Sequence, residues 1–320
     1  MVILSVTDLQ KMYGRITAVA GISFQVEQGE IFGFLGPNGA GKTTTINMLT
    51  GLARPSAGQI WIDGLDGVEE IKKAQSIMGI VPDESNLWDD LDGFENLCFC
   101  GALYGLDRAR RQERARELLE QFGLASLGSR PFRAYSKGLK RRLTIAAALI
   151  HHPRILFLDE PTTGIDVESA RQIRRLILDL KRSGTTVFLT THYIEEAERL
   201  CDRVAFLVEG RIKKAGTVRE LMAQAGDGQI IKVALADAAD ALEPELQRAF
   251  PRLQVEIKGS TCTLHASGQI ALLPILEFFE VRGLHVLEAR AVRPSLEDVF
   301  VQITGVAAGE LRRGEGGCGR

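Results

Sequence analysis

The sequence predicts an α/β domain built on a largely parallel sheet, followed by a smaller α+β domain. Three observations carry this. Up to about residue 222, short β-branched runs alternate with longer helical patterns, as strands joined by helical crossovers do. The stretch Gly36-Pro37-Asn38-Gly39-Ala40-Gly41-Lys42-Thr43-Thr44-Thr45 directly follows one of those apolar runs and opens a helical pattern. Beyond the small linker-like segment Ala225-Gly226-Asp227-Gly228, the rhythm changes to strand, helix, strand, strand, helix, strand.

In chain order, the runs at 31–35, 77–81, 155–158, 186–190 and 204–208 are predominantly apolar and read as strands buried on both faces. Helices are expected from Lys42 to about Thr50, over 93–104 and 107–122, after Ser136, after Val167, and over 194–200. The pair at 93–104 and 107–122 makes a helical insertion of about 90–130 between strands. Ser136 is a favourable N-cap for a helix whose apolar face runs Leu139, Leu143, Ala146, Ala147 and Ile150. In the second part, strands are expected at 229–235, 253–258, 261–266 and 284–291, with helices at 239–249 and 270–281. That βαββαβ order predicts a small ferredoxin-like domain over 229–303. A short helix at 296–303 closes it, and the Gly- and Arg-rich tail 305–320 reads as disordered.

Composition narrows the function classes. With 45% hydrophobic and 25% charged residues, the 320-residue chain has an ordinary globular composition. Its net charge of −2 gives no support for a general nucleic-acid or anionic-membrane binder. The basic run Lys140-Arg141-Arg142 reads as a solvated helix face. None of the five cysteines forms a CxxC pair or stands at zinc spacing with histidine, so reduced thiols in a cytoplasmic protein are expected. The N-terminus has no basic region ahead of its apolar residues and meets Asp8 too early for a signal peptide. The longest apolar runs, 97–106 and 270–279, reach half of the ~20 residues a spanning helix needs. A role at a membrane is therefore expected to run through a partner.

The chemistry starts at the glycine-rich stretch. Gly36, Gly41, Lys42 and Thr43 satisfy G-x-x-x-x-G-K-[ST], the P-loop, between a buried strand and a helix. Glycines let backbone N–H groups turn inward around phosphate oxygens, and the helix N-terminus adds positive potential. Asn38, Gly39 and Thr44 belong to the same cradle. Lys42 is expected on the terminal phosphates and the Thr43 hydroxyl on Mg²⁺. A carboxylate for the metal comes from Asp159, at the C-terminal end of the 155–158 strand, where α/β sheets place their ligands. Glu160, pointing the other way, suits the polarising of an attacking water. The guanine-reading N-K-x-D is absent, because Asn38, Asn47, Asn86 and Asn96 are not followed by Lys, so ATP is favoured.

Further residues resemble one family. Arg133-Ala134-Tyr135-Ser136-Lys137-Gly138-Leu139 is similar to the L-S-G-G-Q signature of ABC-type ATPases, and Pro161-Thr162-Thr163-Gly164-Ile165-Asp166 to their D-loop. Thr190-Thr191-His192 resembles the segment that ends in the family's switch histidine, and Tyr13 the aromatic residue that stacks on adenine. The resemblance spans roughly 1–222. It implies ATP and Mg²⁺ as cofactors, Glu160 and His192 as catalytic residues, and a dimer in which Ser136 and Gly138 close over the phosphate held by the other subunit.

Two departures stand out. Asp83 follows Ile80-Val81-Pro82 where the family has Gln, still able to accept a hydrogen bond from water or to sit near Mg²⁺. Lys137 and Leu139 replace the first Gly and the Gln of the signature. Near the C-terminus, Ser295-Leu296-Glu297-Asp298-Val299-Phe300 resembles the ending of drug- and sodium-exporter ATPase subunits of the daunorubicin-resistance type. Such subunits work on a separately encoded membrane protein. The resemblance implies an ATP-hydrolysing exporter subunit, a homodimer or a heterodimer with a second ABC ATPase. It would sit at the inner face of the cell membrane through its permease, with no nucleic-acid partner. Two other readings stay open: a soluble ABC ATPase acting on nucleic acid, against which the single cassette speaks, and a non-hydrolysing module, against which Glu160 speaks.

Overall fold

The computed structural model describes residues 1–224, 229–266, 268, 270–292 and 294–306. The segment 225–228 and the tail from 307, with the expectations placed on them, lie outside the described residues. Contacts group Met1–Thr217 into one unit and Val218–Gly305 into another.

The first unit opens with a hairpin of long strands, β1 (Val2–Tyr13) and β2 (Ile16–Glu27), turning at Gly14 and Arg15. Then come β3 (Ile31–Leu35), α1 (Lys42–Leu49), β4 (Ala57–Ile62), β5 (Leu65–Asp66), α2 (Ile71–Gln75) and β6 (Met78–Val81). The helical insertion supplies α3 (Gly93–Leu103) and α4 (Arg108–Gln121). After it follow α5 (Lys137–Ala148), β7 (Ile155–Asp159), α6 (Val167–Arg182), β8 (Thr186–Thr191), α7 (Ile194–Leu200), β9 (Arg203–Val208) and β10 (Arg211–Thr217).

The predicted strands assemble into a six-stranded sheet of order β10-β9-β3-β8-β7-β6, parallel except for the antiparallel edge strand β10. A second, antiparallel sheet, β2-β1-β4-β5, was not expected from the sequence. Its long strands mix charged and apolar residues and carry bulges, one of them around Asp8, whose φ is 49°. These bulges break the period-two pattern by which strands are read. The core lies between the sheets, where the rings of Phe24, Phe32, Phe34 and Phe188 pack with centroids 5.4–5.9 Å apart.

In the second unit, α8 (Val218–Gln224) leads into β11 (Gln229–Leu235), α9 (Glu243–Ala249), β12 (Gln254–Lys258), β13 (Thr261–Ala266), α10 (Leu273–Glu280), β14 (Val286–Val292) and α11 (Leu296–Thr304). The strands form one antiparallel sheet of order β12-β13-β11-β14 over a core of its own, which includes Ile231, Val233, Leu264, Ile275 and Phe279. Helix α8 packs against α11, so it falls with this unit, ahead of the boundary at 222 read from the sequence.

Candidate functional site

Strand β3, buried at every residue, ends at Gly36, where the chain turns through a loop into α1. A Cβ at Gly36 would lie 2.1 Å from the Leu207 carbonyl oxygen on β9, so only glycine lets the loop leave the sheet here. Gly41 caps α1 with φ 104°, and a Cβ there would stand 2.5 Å from the Ala18 oxygen. No side chain caps the N-terminus of α1. Its first amides are therefore available to an anion, with the helix dipole behind them. Lys42 folds back into the loop and donates to the Gly36 and Pro37 carbonyls at 2.8 and 3.2 Å.

The acidic half of the site comes from β7 and β8. Asp159 is buried at the end of β7, and its carboxylate accepts the hydroxyl of Thr190 on the neighbouring strand. Glu160 is not part of the strand. It takes a left-handed conformation, φ 47°, and its N–H bonds to the carbonyl and hydroxyl oxygens of Thr190 at 3.2 and 3.1 Å. That twist, rather than strand alternation, turns its carboxylate to Lys42 Nζ at 3.2 Å, His192 Nδ1 at 2.9 Å and the Thr163 hydroxyl at 3.0 Å. Lys42, Glu160 and His192 are each under a tenth exposed. Burial pushes the Glu160 carboxyl up, but the His192 hydrogen bond and the Lys42 charge together outweigh it and hold it below the ordinary carboxylate range. The group is ionised at neutral pH.

A cavity of about 370 Å³ opens over these groups, lined by Ala18, Asn38, Gly39, Gly41, Lys42, Thr43, Thr44, Asp83, Glu160, Thr163 and His192. The fold thus brings together most of the residues named from the sequence. Asp159 lies beside the cavity without lining it. Tyr13, at the end of β1, is half exposed, with the Lys11 ammonium 4.8 Å from its ring centroid, and it does not line the cavity. Ser136 and Gly138 stand apart from it too. Ser136 caps α5 by accepting the Leu139 N–H at 3.3 Å. Gly138 has a reason within its own chain, since a Cβ there would lie 2.1 Å from the Ser169 hydroxyl.

One residue was misread. Arg141, in the middle of the basic run taken for a solvated face, is buried. Its guanidinium donates to the carbonyl oxygens of Pro82 and Asp83 and lies 3.4 Å from the Asp83 carboxylate. The available signal was the phase of α5, because Arg141 shares a helix face with the buried Gly138, Thr144 and Ile145. Among the described residues, no group of three or more His, Cys, Asp or Glu side chains is placed to hold a metal unaided. No helix among them is long and apolar enough to cross a membrane.

The sequence model of the ABC transporter family matches residues 19–163. The linearmycin resistance ATP-binding protein of Bacillus subtilis (strain 168) is 36% identical over 308 residues, 94% of this chain and 98% of that protein. The Nod factor export ATP-binding protein I of Ralstonia nicotianae is 40% identical, covering 95% and 94%. The daunorubicin/doxorubicin resistance ATP-binding protein of Streptomyces peucetius is 37% identical, covering 93% and 91%. Among solved structures, an ATP-binding subunit of an ABC transporter aligns with TM-score 0.64 and 31% identity, over 70% of this chain and 93% of that one. A dimeric ATP-binding cassette in a post-hydrolysis state with ADP and Pi aligns with TM-score 0.63 and 26% identity, over 68% and 99%.

Proposed function

This chain belongs to the ABC transporter family as an ATP-hydrolysing subunit of the drug-resistance and export type, and we propose that hydrolysis takes place in the cavity between Lys42 and Glu160. The observation that carries this is the single carboxylate of Glu160, fixed at once by Lys42 and His192 beside a helix N-terminus without a side-chain cap.

The loop from Gly36 to Gly41 and the first amides of α1 take the phosphates, and Lys42 exchanges the Gly36 and Pro37 carbonyls for phosphate oxygens. Thr43 and Asp159 offer the hard oxygen donors that Mg²⁺ takes when phosphates complete its shell, and Asp159 keeps lone pairs beyond the one used by Thr190. Asp83, which lines the cavity, can join them through water. A magnesium ion bound by these residues would supply positive charge against the phosphates. Glu160 orients the attacking water and accepts its proton. While Lys42 is bound to it, Glu160 is a weak base; Lys42 turning to phosphate removes one of the influences that lower its pKa. His192 stays to hold the carboxylate in line.

Tyr13 offers its exposed ring to adenine, and Ser136 and Gly138 meet the phosphate of a second subunit across a dimer. The dimeric cassette with ADP and Pi supports that arrangement. The second unit, with its β11-α9-β12-β13-α10-β14 order, reads as a ferredoxin-like domain. The export proteins among the relatives support a separate permease, through which the chain would reach the inner face of the membrane. Light scattering on Glu160→Gln protein tests the dimer: the mass should double with Mg-ATP and stay monomeric with Mg-ADP. An unchanged mass with ATP demonstrably bound would remove self-dimerisation from this reading.

A further inference from the structure

We propose that Arg141 is a positioning residue that ties the state of Asp83, in the nucleotide cavity, to the Ser136 end of α5; this rests on the reading of the cavity given above. Arg141 is 8% exposed, whereas the Asp83 side chain with which it pairs is 56% exposed. A buried guanidinium survives only if its charge and donors are satisfied. Here the carbonyl oxygens of Pro82 and Asp83 satisfy it from one side, fixing the backbone of the loop to the helix. The carboxylate of the same Asp83, at 3.4 Å, is the looser contact, and it lines the cavity. Asp83 therefore faces two ways: its backbone belongs to α5 and its charge to the nucleotide site.

Neighbouring contacts make the loop and the helix one piece. The Thr144 and Ser85 hydroxyls bond at 2.8 Å, and Lys140 reaches the Asp89 carboxylate at 3.4 Å. The backbone just ahead of Ser136 is tied to the same loop, with Phe132 N–H on the Leu91 oxygen at 2.9 Å and Arg133 N–H on the Asp89 oxygen at 3.0 Å. Any occupant of the cavity that draws the Asp83 carboxylate to itself takes an anionic partner from Arg141. The consequence is felt in the helix that presents Ser136. An uncharged residue at position 83 would leave the guanidinium bonded to carbonyls, with only the Asp159 and Glu160 charges beyond them, so the acid at this position is its one anionic hydrogen-bond partner among the described residues.

The test is a double-mutant cycle on the full-length chain. kcat and KM for Mg-ATP hydrolysis are measured for wild type, Arg141→Gln, Asp83→Gln and the double variant, with equilibrium binding of a fluorescent ATP analogue alongside. Arg141→Gln should lower kcat about tenfold while KM and analogue affinity change less than about threefold. In the Asp83→Gln background the same substitution should lower kcat less than about threefold, because the acidic partner is already gone. Arg141→Lys, which keeps the charge and loses the planar fork, should fall between wild type and Arg141→Gln, and it carries the same cycle where Arg141→Gln does not fold. Equal losses in both backgrounds would overturn the coupling. So would a loss of kcat accompanied by an equal loss of affinity. A wild-type chain that neither binds nor hydrolyses ATP would instead overturn the reading of the cavity itself.

Discussion

Burial disfavours charge on two residues of the first unit, and only one of them has partners that overcome it. Glu160 is buried yet held ionised, because Lys42 and His192 face it. His151, which follows α5, is held neutral. Its ring stacks on Tyr104 with centroids 3.5 Å apart, Nε2 donates to the Met78 oxygen at 2.8 Å, and Nδ1 has no partner. Burial lowers its pKa to about 4. The unfolded chain takes up that proton near pH 6.5 and the folded chain does not until about 4, so this group's contribution is complete above 6.5 and is lost as pH falls through that window. Between pH 7.5 and 5 the loss should be about 1–2 kcal/mol, with the partly exposed ring discounted. Urea unfolding at the two pH values checks it: His151→Gln should show a shallower fall than wild type. Identical slopes would assign the titration to another group. At this scale the sequence made position legible where motif and strand dictate it: Lys42 lines the cavity and Asp159 ends β7. It was illegible where conformation decides, as in the left-handed Glu160. It also misled at Arg141, because a basic neighbour on each side hides the one that points inward.

Elements that carry the site were read well where both faces are buried, since β3, β7 and β8 are buried at every residue and built on short apolar runs. The antiparallel sheet escaped because β1 and β2 are half exposed and bulged, and pairing rather than local pattern defines them. Helix α3 depends on a residue whose role no periodicity marks. Asn96 is fully buried; its Oδ1 accepts the Trp88 N–H at 2.9 Å, and its Nδ2 faces the oxygens of Trp88, Leu91 and Asp92 at 3.0–3.2 Å. It holds the segment that leads from the cavity into α3, whose start is further secured by the Asp92–Glu95 capping box. Asn96→Leu keeps the branched shape at a larger volume and orphans those backbone groups, so it should destabilise the first unit by about 2–4 kcal/mol in denaturant unfolding. A change under about 0.5 kcal/mol would mean that the loop finds other partners.

The whole molecule is two units with separate cores, and only the first contains the loop, the strand-end carboxylates and His192. The sequence reading put the boundary at 222, ahead of the 225–228 segment, whereas contacts divide the chain after Thr217, because α8 packs against α11. Separate cores make the chain a poor candidate for one all-or-none transition. Calorimetry should resolve two unfolding steps, and Mg-ATP should move only one of them. A ligand bound at a hundred times its Kd stabilises the unit that holds it by about 2.7 kcal/mol, and the other unit gains nothing from it. In Lys42→Ala, which removes a phosphate contact without touching the second core, both steps should remain and Mg-ATP should no longer move either of them. A single transition that moves as a whole with nucleotide would mean that the two cores unfold together, so that ligand bound to the first stabilises both.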